Sequence, residues 1–206
     1  NFIADIATAK VASLTASPAT GVPADGKTVS TLTAVVKDAK DNPVKDVAVT
    51  FKATGSVTWG EITPRTDANG IATAKLTSTV EGSNTVTITT ENDKTGKSAK
   101  VSFVAGAISA SNSTLQIGNS SILQADRKST LTITLTAKDR YGNKITGANI
   151  SFKVSNFDDA NISAVTEKKG IYTATLTSGN KASLGSITVW QNDIQVKDMS
   201  ADVGQY

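Results

Sequence analysis

Few residues of this sequence are able to do chemistry, and their types narrow the choice. The 206-residue chain has no histidine and no cysteine. That removes imidazole bases, thiol nucleophiles, disulfides and the usual transition-metal ligand sets together. A serine nucleophile is left without the base of the usual triad. Lysine could replace it, but Ser98-Ala99-Lys100 reads as strand alternation. Asp158-Asp159 is the obvious carboxylate pair of the kind glycoside hydrolysis uses, yet adjacent acids in a loop face solvent. No glycine loop of phosphate-cradling length is present. Calcium takes about six to eight oxygen ligands. Asp38, Asp41 and Asp46 gather carboxylates in one stretch without the spacing of a dedicated calcium loop, and residues 103–109 carry no acid. The expectation is a protein that is not an enzyme, with no catalytic residues, no cofactor, no metal and no small-molecule substrate.

Contact chemistry is the remaining kind. Exposed tryptophan often anchors interfaces, so Trp59 and Trp190 are the candidate adhesive contacts. Trp59 lies in the Gly55–Gly60 loop region, and Trp190 follows Val189 and so points away from the core face. Both rings could equally cap sheet edges or cover a domain junction. Phe157 and Tyr141 are weaker cases of the same kind.

The elements that position these residues are strands. Leu32, Ala34 and Val36 share one face of a period-two stretch, as do Val47, Val49 and Phe51. Ala72, Ala74 and Leu76 repeat the pattern, then Val86 and Ile88, then Ala99, Val101 and Phe103. The opposite faces carry mainly Thr, Ser and Lys, as expected where one side of an antiparallel sheet is dry and the other wet. No stretch has a helical period, so the fold class is all-β, an antiparallel sandwich. Charge is balanced: 21 Lys+Arg stand against 18 Asp+Glu, split 11 to 10 over the first 105 residues and 10 to 8 over the rest. Without a basic concentration no nucleic-acid partner is expected. No run of about 18 apolar residues exists to cross a membrane as a helix.

Sliding the chain by 101 residues superposes its halves. Ala24-Asp25 meets Ala125-Asp126, Lys37-Asp38 meets Lys138-Asp139, and Phe51-Lys52 meets Phe152-Lys153. After one dropped residue, Thr66, Gly70 and Ile71 meet Thr166, Gly170 and Ile171. Ile187 and Val189 take the roles of Val86 and Ile88, and Met199, Ala201 and Val203 form the last inward face. A period near 100 residues with about seven strands is that of a sandwich domain. Two domains are expected, residues 6–105 and 106–206. Phe2-Ile3-Ala4 matches Phe103-Val104-Ala105, so residues 1–5 read as the tail of a preceding repeat and the chain as a segment of a longer protein. The junction Ala105-Gly106-Ala107 is short, which predicts a stiff pair. Gly70 and Gly170 are expected to supply positive φ in turns.

The first copy carries Ala24-Asp25-Gly26, Thr33-Ala34-Val35-Val36-Lys37-Asp38, Asn42-Pro43-Val44 leading to Val49-Thr50-Phe51, Thr66-Asp67-Ala68-Asn69-Gly70-Ile71-Ala72 and Leu76-Thr77-Ser78. In these marks it resembles the bacterial Ig-like repeats of the intimin/invasin family of outer-membrane adhesins, the inverse autotransporters. The second copy departs, with Arg127 for Gly26, Asn143-Lys144-Ile145 for Asn42-Pro43-Val44 and Glu167-Lys168-Lys169-Gly170 for the Asp67–Gly70 turn. It is the more divergent domain. The resemblance implies a rod of tandem Ig-like sandwiches on the bacterial cell surface, exported through an outer-membrane β-barrel and carrying a distal tip for a host receptor. This chain would be stalk, its partners the neighbouring Ig-like domains of the same chain and, through the parent protein, a host surface receptor. The alternative is that one of the two domains itself binds a host protein or glycan through exposed loop or edge aromatics.

Overall fold

The computed structural model describes residues 3–206; Phe2 of the Phe2-Ile3-Ala4 stretch lies outside them. The chain divides into two compact units between Val104 and Ala105.

Unit 1 opens with a 3-10 turn at Ile6–Thr8, followed by β1 (Lys10–Ser17), β2 (Val22–Pro23), β3 (Ser30–Lys37), β4 (Val49–Ala53), β5 (Thr58–Ile62), β6 (Ile71–Thr77), β7 (Gly82–Thr90) and β8 (Lys97–Val104). One sheet runs β1-β3-β6-β5 and the other β2-β8-β7-β4. Leu32, Ala34, Val36, Ala74, Leu76, Val86 and Ile88 are fully buried between them. The β3–β6 register sets Leu32 against Ala74 and Ala34 against Ala72. Small residues beside large ones let the two layers interdigitate at the density of a protein interior.

Unit 2 comprises β9 (Thr114–Ile117), β10 (Ile122–Leu123), β11 (Thr130–Thr136), β12 (Ile150–Val154), β13 (Asn161–Ile162), β14 (Thr166–Lys168), β15 (Ile171–Thr177), β16 (Ser183–Gln191) and β17 (Ile194–Gln205). Its sheets run β13-β15-β11-β9, with β14 also on β15, and β10-β17-β16-β12. Ile133, Leu135, Leu176, Ile187 and Val189 form the dry interior, with Met199 and Val203 from the last strand. Asn192 and Asp193, with φ of 51° and 61°, close the β16–β17 hairpin, the two-residue turn whose twist suits paired strands. Gly70 and Gly170 adopt φ of 71° and 81°, as their place in the turns predicts.

The cores differ at one place. β2 pairs Val22 with Phe103, whereas β10 pairs Leu123 with Gln205, so a glutamine stands where unit 1 has an aromatic ring. Gln205 is 4% exposed. Its Oε1 accepts from Gly179 N at 2.8 Å, and its Nε2 donates to Lys181 O at 2.7 Å and Ser183 Oγ at 3.0 Å. A buried amide satisfied in this way is tolerated. Phe157 supplies apolar volume to the same core and is 7% exposed. It is a core residue and does not offer the surface contact for which the sequence made it a weaker candidate. Gly185 makes the room: a Cβ there would lie 2.9 Å from Phe157 Cδ2.

A hydroxyl bridge is conserved while its donor changes. In unit 1, Thr66 Oγ1 donates to Val44 O (2.7 Å) and accepts from Val47 N (2.9 Å). In unit 2 the corresponding backbone groups, Ile145 O and Ala148 N, meet the Tyr172 hydroxyl, each at 3.0 Å. Thr166, which aligns with Thr66, instead turns its hydroxyl to Thr173 at the surface. Each bridge satisfies two backbone groups, and leaving such groups unpaired costs about 1–3 kcal/mol. Thr66→Val and Tyr172→Phe are therefore expected to lower stability by about that amount, and Thr166→Val by less than about 0.5 kcal/mol. Urea unfolding of the three variants measures the difference.

Candidate functional site

Trp59 sits in edge strand β5, not in a loop. It pairs with Leu76 of β6, and a register irregularity follows it before Ile62. Its half-buried ring packs against the core and lies 6.2 Å from the Phe51 ring. Trp190 lies on the outer face of β16, opposite Ser151. The Lys153 ammonium stands 3.5 Å over the ring centroid, and the indole N–H donates to Thr188 Oγ1 at 2.9 Å. A cation over an indole face is an attractive pair. Lys153 thus covers one face of the ring that would make an adhesive contact. The two tryptophans belong to different units. Tyr141 is 40% exposed, with the Arg140 guanidinium 4.9 Å from its ring.

The acids disperse. Asp159 pairs with Arg127 at 3.0 Å and Asp158 with Lys181 at 3.8 Å, so the adjacent carboxylates point to different cations. Asp41 pairs with Lys37 and Asp46 with Arg65. Among the described residues no cluster of acids is arranged to hold a metal ion, and no helix is long and apolar enough to cross a membrane. Among the described residues no catalytic constellation is assembled.

The most organised polar site occurs twice, at the turn after β3 and again at the turn after β11. Asp38 Oδ1 accepts from Lys40 N and Asn42 N, both at 2.9 Å, and its Oδ2 accepts from Asn42 Nδ2 and Asp5 N, both at 3.1 Å. Asp139 Oδ1 accepts from Tyr141 N and Asn143 N at 2.9 Å, and its Oδ2 from Asn143 Nδ2 at 2.8 Å and Gly106 N at 3.0 Å. Each carboxylate closes its own turn and also ties down the backbone 33 residues earlier, where the unit begins. Sequence reasoning finds the turn, because Asp binds nearby N–H groups. It misses the second partner, because a backbone N–H has no residue type. In unit 1, Asn92 Nδ2 donates to Ile6 O and Asp93 accepts from Val11 N. In unit 2, Gln191 accepts from Ile108 N and Asn112 donates to the carbonyls of Asp139 and Arg140.

These bonds favour ionised carboxylates. The N–H groups of Asn42 and then Asp5 hold Asp38 down to about 2. Thr28, through its backbone and then its side chain, and Lys27 do the same for Asp25, also about 2. The backbone N–H groups of Ser129 and Lys128 hold Asp126 at about 2. At Asp139, burial pushes upward, but bonds from Asn143, Gly106 and Tyr141 outweigh it and the group ends below its ordinary value. A carboxylate whose folded value lies below its ordinary 3.8 stabilises the fold above that pH and loses the effect as pH falls toward the folded value. The urea midpoint is therefore expected to be insensitive to these groups between neutrality and the ordinary carboxylate range, and to fall between pH 3.8 and about 2. Unfolding curves recorded across that window test it.

Two β-sandwiches, antiparallel but for one short pairing each and each fastening its own leading peptide to its own turn, define a tandem of Ig-like modules. Residues 11–104 match the bacterial Ig-like domain (group 1) and residues 109–205 match invasin domain 3. The chain belongs to the intimin/invasin family. It is 38% identical over 175 residues to the inverse autotransporter adhesin YeeJ of Escherichia coli K12, an alignment covering 82% of this chain and 7% of that protein. Among solved structures it is similar to invasin, an integrin-binding bacterial protein, with a TM-score of 0.81 and 27% identity over 99% of this chain and 41% of that one. It is also similar to the Escherichia coli adhesin FdeC, with a TM-score of 0.78 and 28% identity over 99% of this chain and 66% of that one. The separate match of each half accounts for the departures of the second copy from the motifs of the first.

Proposed function

We propose that the chain is a stalk segment of a bacterial surface adhesin, which spaces a distal receptor-binding module from the cell. The reading puts it on the extracellular side of an outer-membrane-anchored protein, with further Ig-like domains of the same chain as its direct partners and a host receptor reached through the parent. The observation that supports it most is the fastening of the junction. Val104 O accepts from Ala24 N at 2.9 Å within unit 1, and Gly106 N is already held by Asp139 within unit 2. Only Ala105 lies between these two anchored groups. A connector this short suits a spacer better than a flexible tether. Two of the relatives named above are adhesins by name, which supports the adhesin part of the reading.

Replacing the segment in its parent by two unrelated sandwich domains of similar size is expected to preserve adhesion, and the purified segment is expected not to bind host cells at micromolar concentration. Binding by the purified segment that is abolished by Trp59→Ala or Trp190→Ala without unfolding would replace this reading with direct recognition by one of the two domains.

A further inference from the structure

We infer that each sandwich resists tension through one small joint, the parallel pairing of its second strand with its last. The inference rests on the stalk reading, because a spacer between a cell and its target is pulled from its two ends.

In unit 1 the joint pairs Val22 with Phe103 and Pro23 with Val104. Ser102 N donates to Ala19 O at 2.8 Å on one side of it, and Ala24 N to Val104 O at 2.9 Å on the other. In unit 2 it pairs Ile122 with Gly204 and Leu123 with Gln205. Gly204 N donates to Ser121 O at 2.8 Å, Tyr206 N to Leu123 O at 3.1 Å and Ala125 N to Tyr206 O at 2.6 Å. Among the described residues every other strand pairing is antiparallel.

Direction is what matters. Tension arriving from the N-terminal side draws β2 backward along its own axis. Tension leaving at the C-terminal side draws β8 forward along the same axis, because the two strands run the same way. They can separate only by sliding past one another, and the bonds bridging them are spaced along that slide, so they take load together. The same holds for β10 and β17. β1 is held in the other sheet, on β3. The backbone pairing of β2 with β8 is therefore what ties the leading part of unit 1 directly to its last strand. The apolar side of the joint is also dry. Val22 and Phe103 in unit 1 and Leu123 in unit 2 are buried, which keeps water from replacing the strained bonds.

The chain has no cysteine, so introduced pairs define the points of pulling. In single-molecule force measurements on the purified chain, terminal cysteines load both joints lengthwise. Ser83→Cys with Ser102→Cys instead opens the β7–β8 hairpin from its paired end, where bonds yield in sequence. The peak force for unit 1 is expected to fall by at least about two-fold in the second geometry, since the bonds no longer share the load. With terminal pulling, Ala24→Pro removes the N–H that meets Val104 O and is expected to lower the unit 1 peak more than Leu76→Ala, a core truncation that leaves the backbone bonds of the joint in place. Equal peak forces in the two geometries would overturn the inference, as would a Leu76→Ala peak lowered as far as the Ala24→Pro peak. Both readings come from the isolated chain, so they are decided separately from the domain-replacement test of the stalk role.

Discussion

Asp139→Ala is expected to lower the unfolding free energy of unit 2 by about 3 kcal/mol, because hydrogen bonds to a charged group are worth about 1.5–3 kcal/mol each and are not additive. Asp139 is 1% exposed. Its loss removes one acceptor shared by Gly106 N, Tyr141 N, Asn143 N and the Asn143 amide. Asp139→Asn separates charge and acceptor capacity from shape. Asn143 Nδ2 and Gly106 N both donate to Oδ2, so an amide nitrogen placed there meets two donors and accepts from neither. Turning the amide over only moves the conflict to Oδ1, which also accepts from two N–H groups. The asparagine variant is thus expected to be destabilised nearly as much as the alanine variant. Recovery of wild-type stability by asparagine would show that packing, not the ionised acceptor, matters there. Asp38→Ala should act in the same direction on unit 1. Hydrogen exchange at Gly106 should accelerate in both Asp139 variants, reporting release of the leading peptide as distinct from general loosening.

Leu176→Ala is the second large effect. Leu176 is fully buried and pairs with Leu131 and Ile162 on neighbouring strands. Truncating such a leucine removes transfer free energy and leaves a cavity, which together cost about 2–5 kcal/mol. Leu76→Ala is the equivalent change in unit 1. The buried clusters of the two units contain no residue in common, so each substitution is expected to shift the unfolding transition of its own unit only. Nature has supplied the probes: Trp59 reports unit 1 and Trp190 reports unit 2. Fluorescence-detected denaturation of Leu176→Ala in a Trp59→Phe background and in a Trp190→Phe background separates the two transitions. Equal displacement of both would mean that the units unfold as one.

The strand faces were legible because a half-buried strand must alternate. Leu32, Ala34 and Val36 could be placed from their spacing alone, and so could Met199, Ala201 and Val203 in the more irregular last strand. The turn glycines were legible for a similar reason, since positive φ restricts the residue type. Trp59 was misplaced because Gly55 and Gly60 flank it like loop markers. Gly60 is a strand residue, and a Cβ there would sit 3.4 Å from the Lys75 Cβ on β6. The inward turn of Phe157 was not legible because it depends on Gly185, a residue far along the chain. Of the polar site, the turn-closing half was legible and the half that grips Asp5 and Gly106 was not. That half arises only when the chain has folded back upon itself.

The hydroxyl bridge bears on how such modules can be shuffled. The group that meets Val44 O and Val47 N, or Ile145 O and Ala148 N, comes from before the Gly70/Gly170 turn in one unit and from after it in the other. A crossover inside that turn would yield two unequal offspring. One would join Thr166 to Ala72 and lack the bridging oxygen; its reciprocal would join Thr66 to Tyr172 and crowd two oxygens into one berth. Recombination between these repeats should accordingly leave breakpoints outside the turn, so that Thr66 with Ala72, or Thr166 with Tyr172, is inherited as a linked pair.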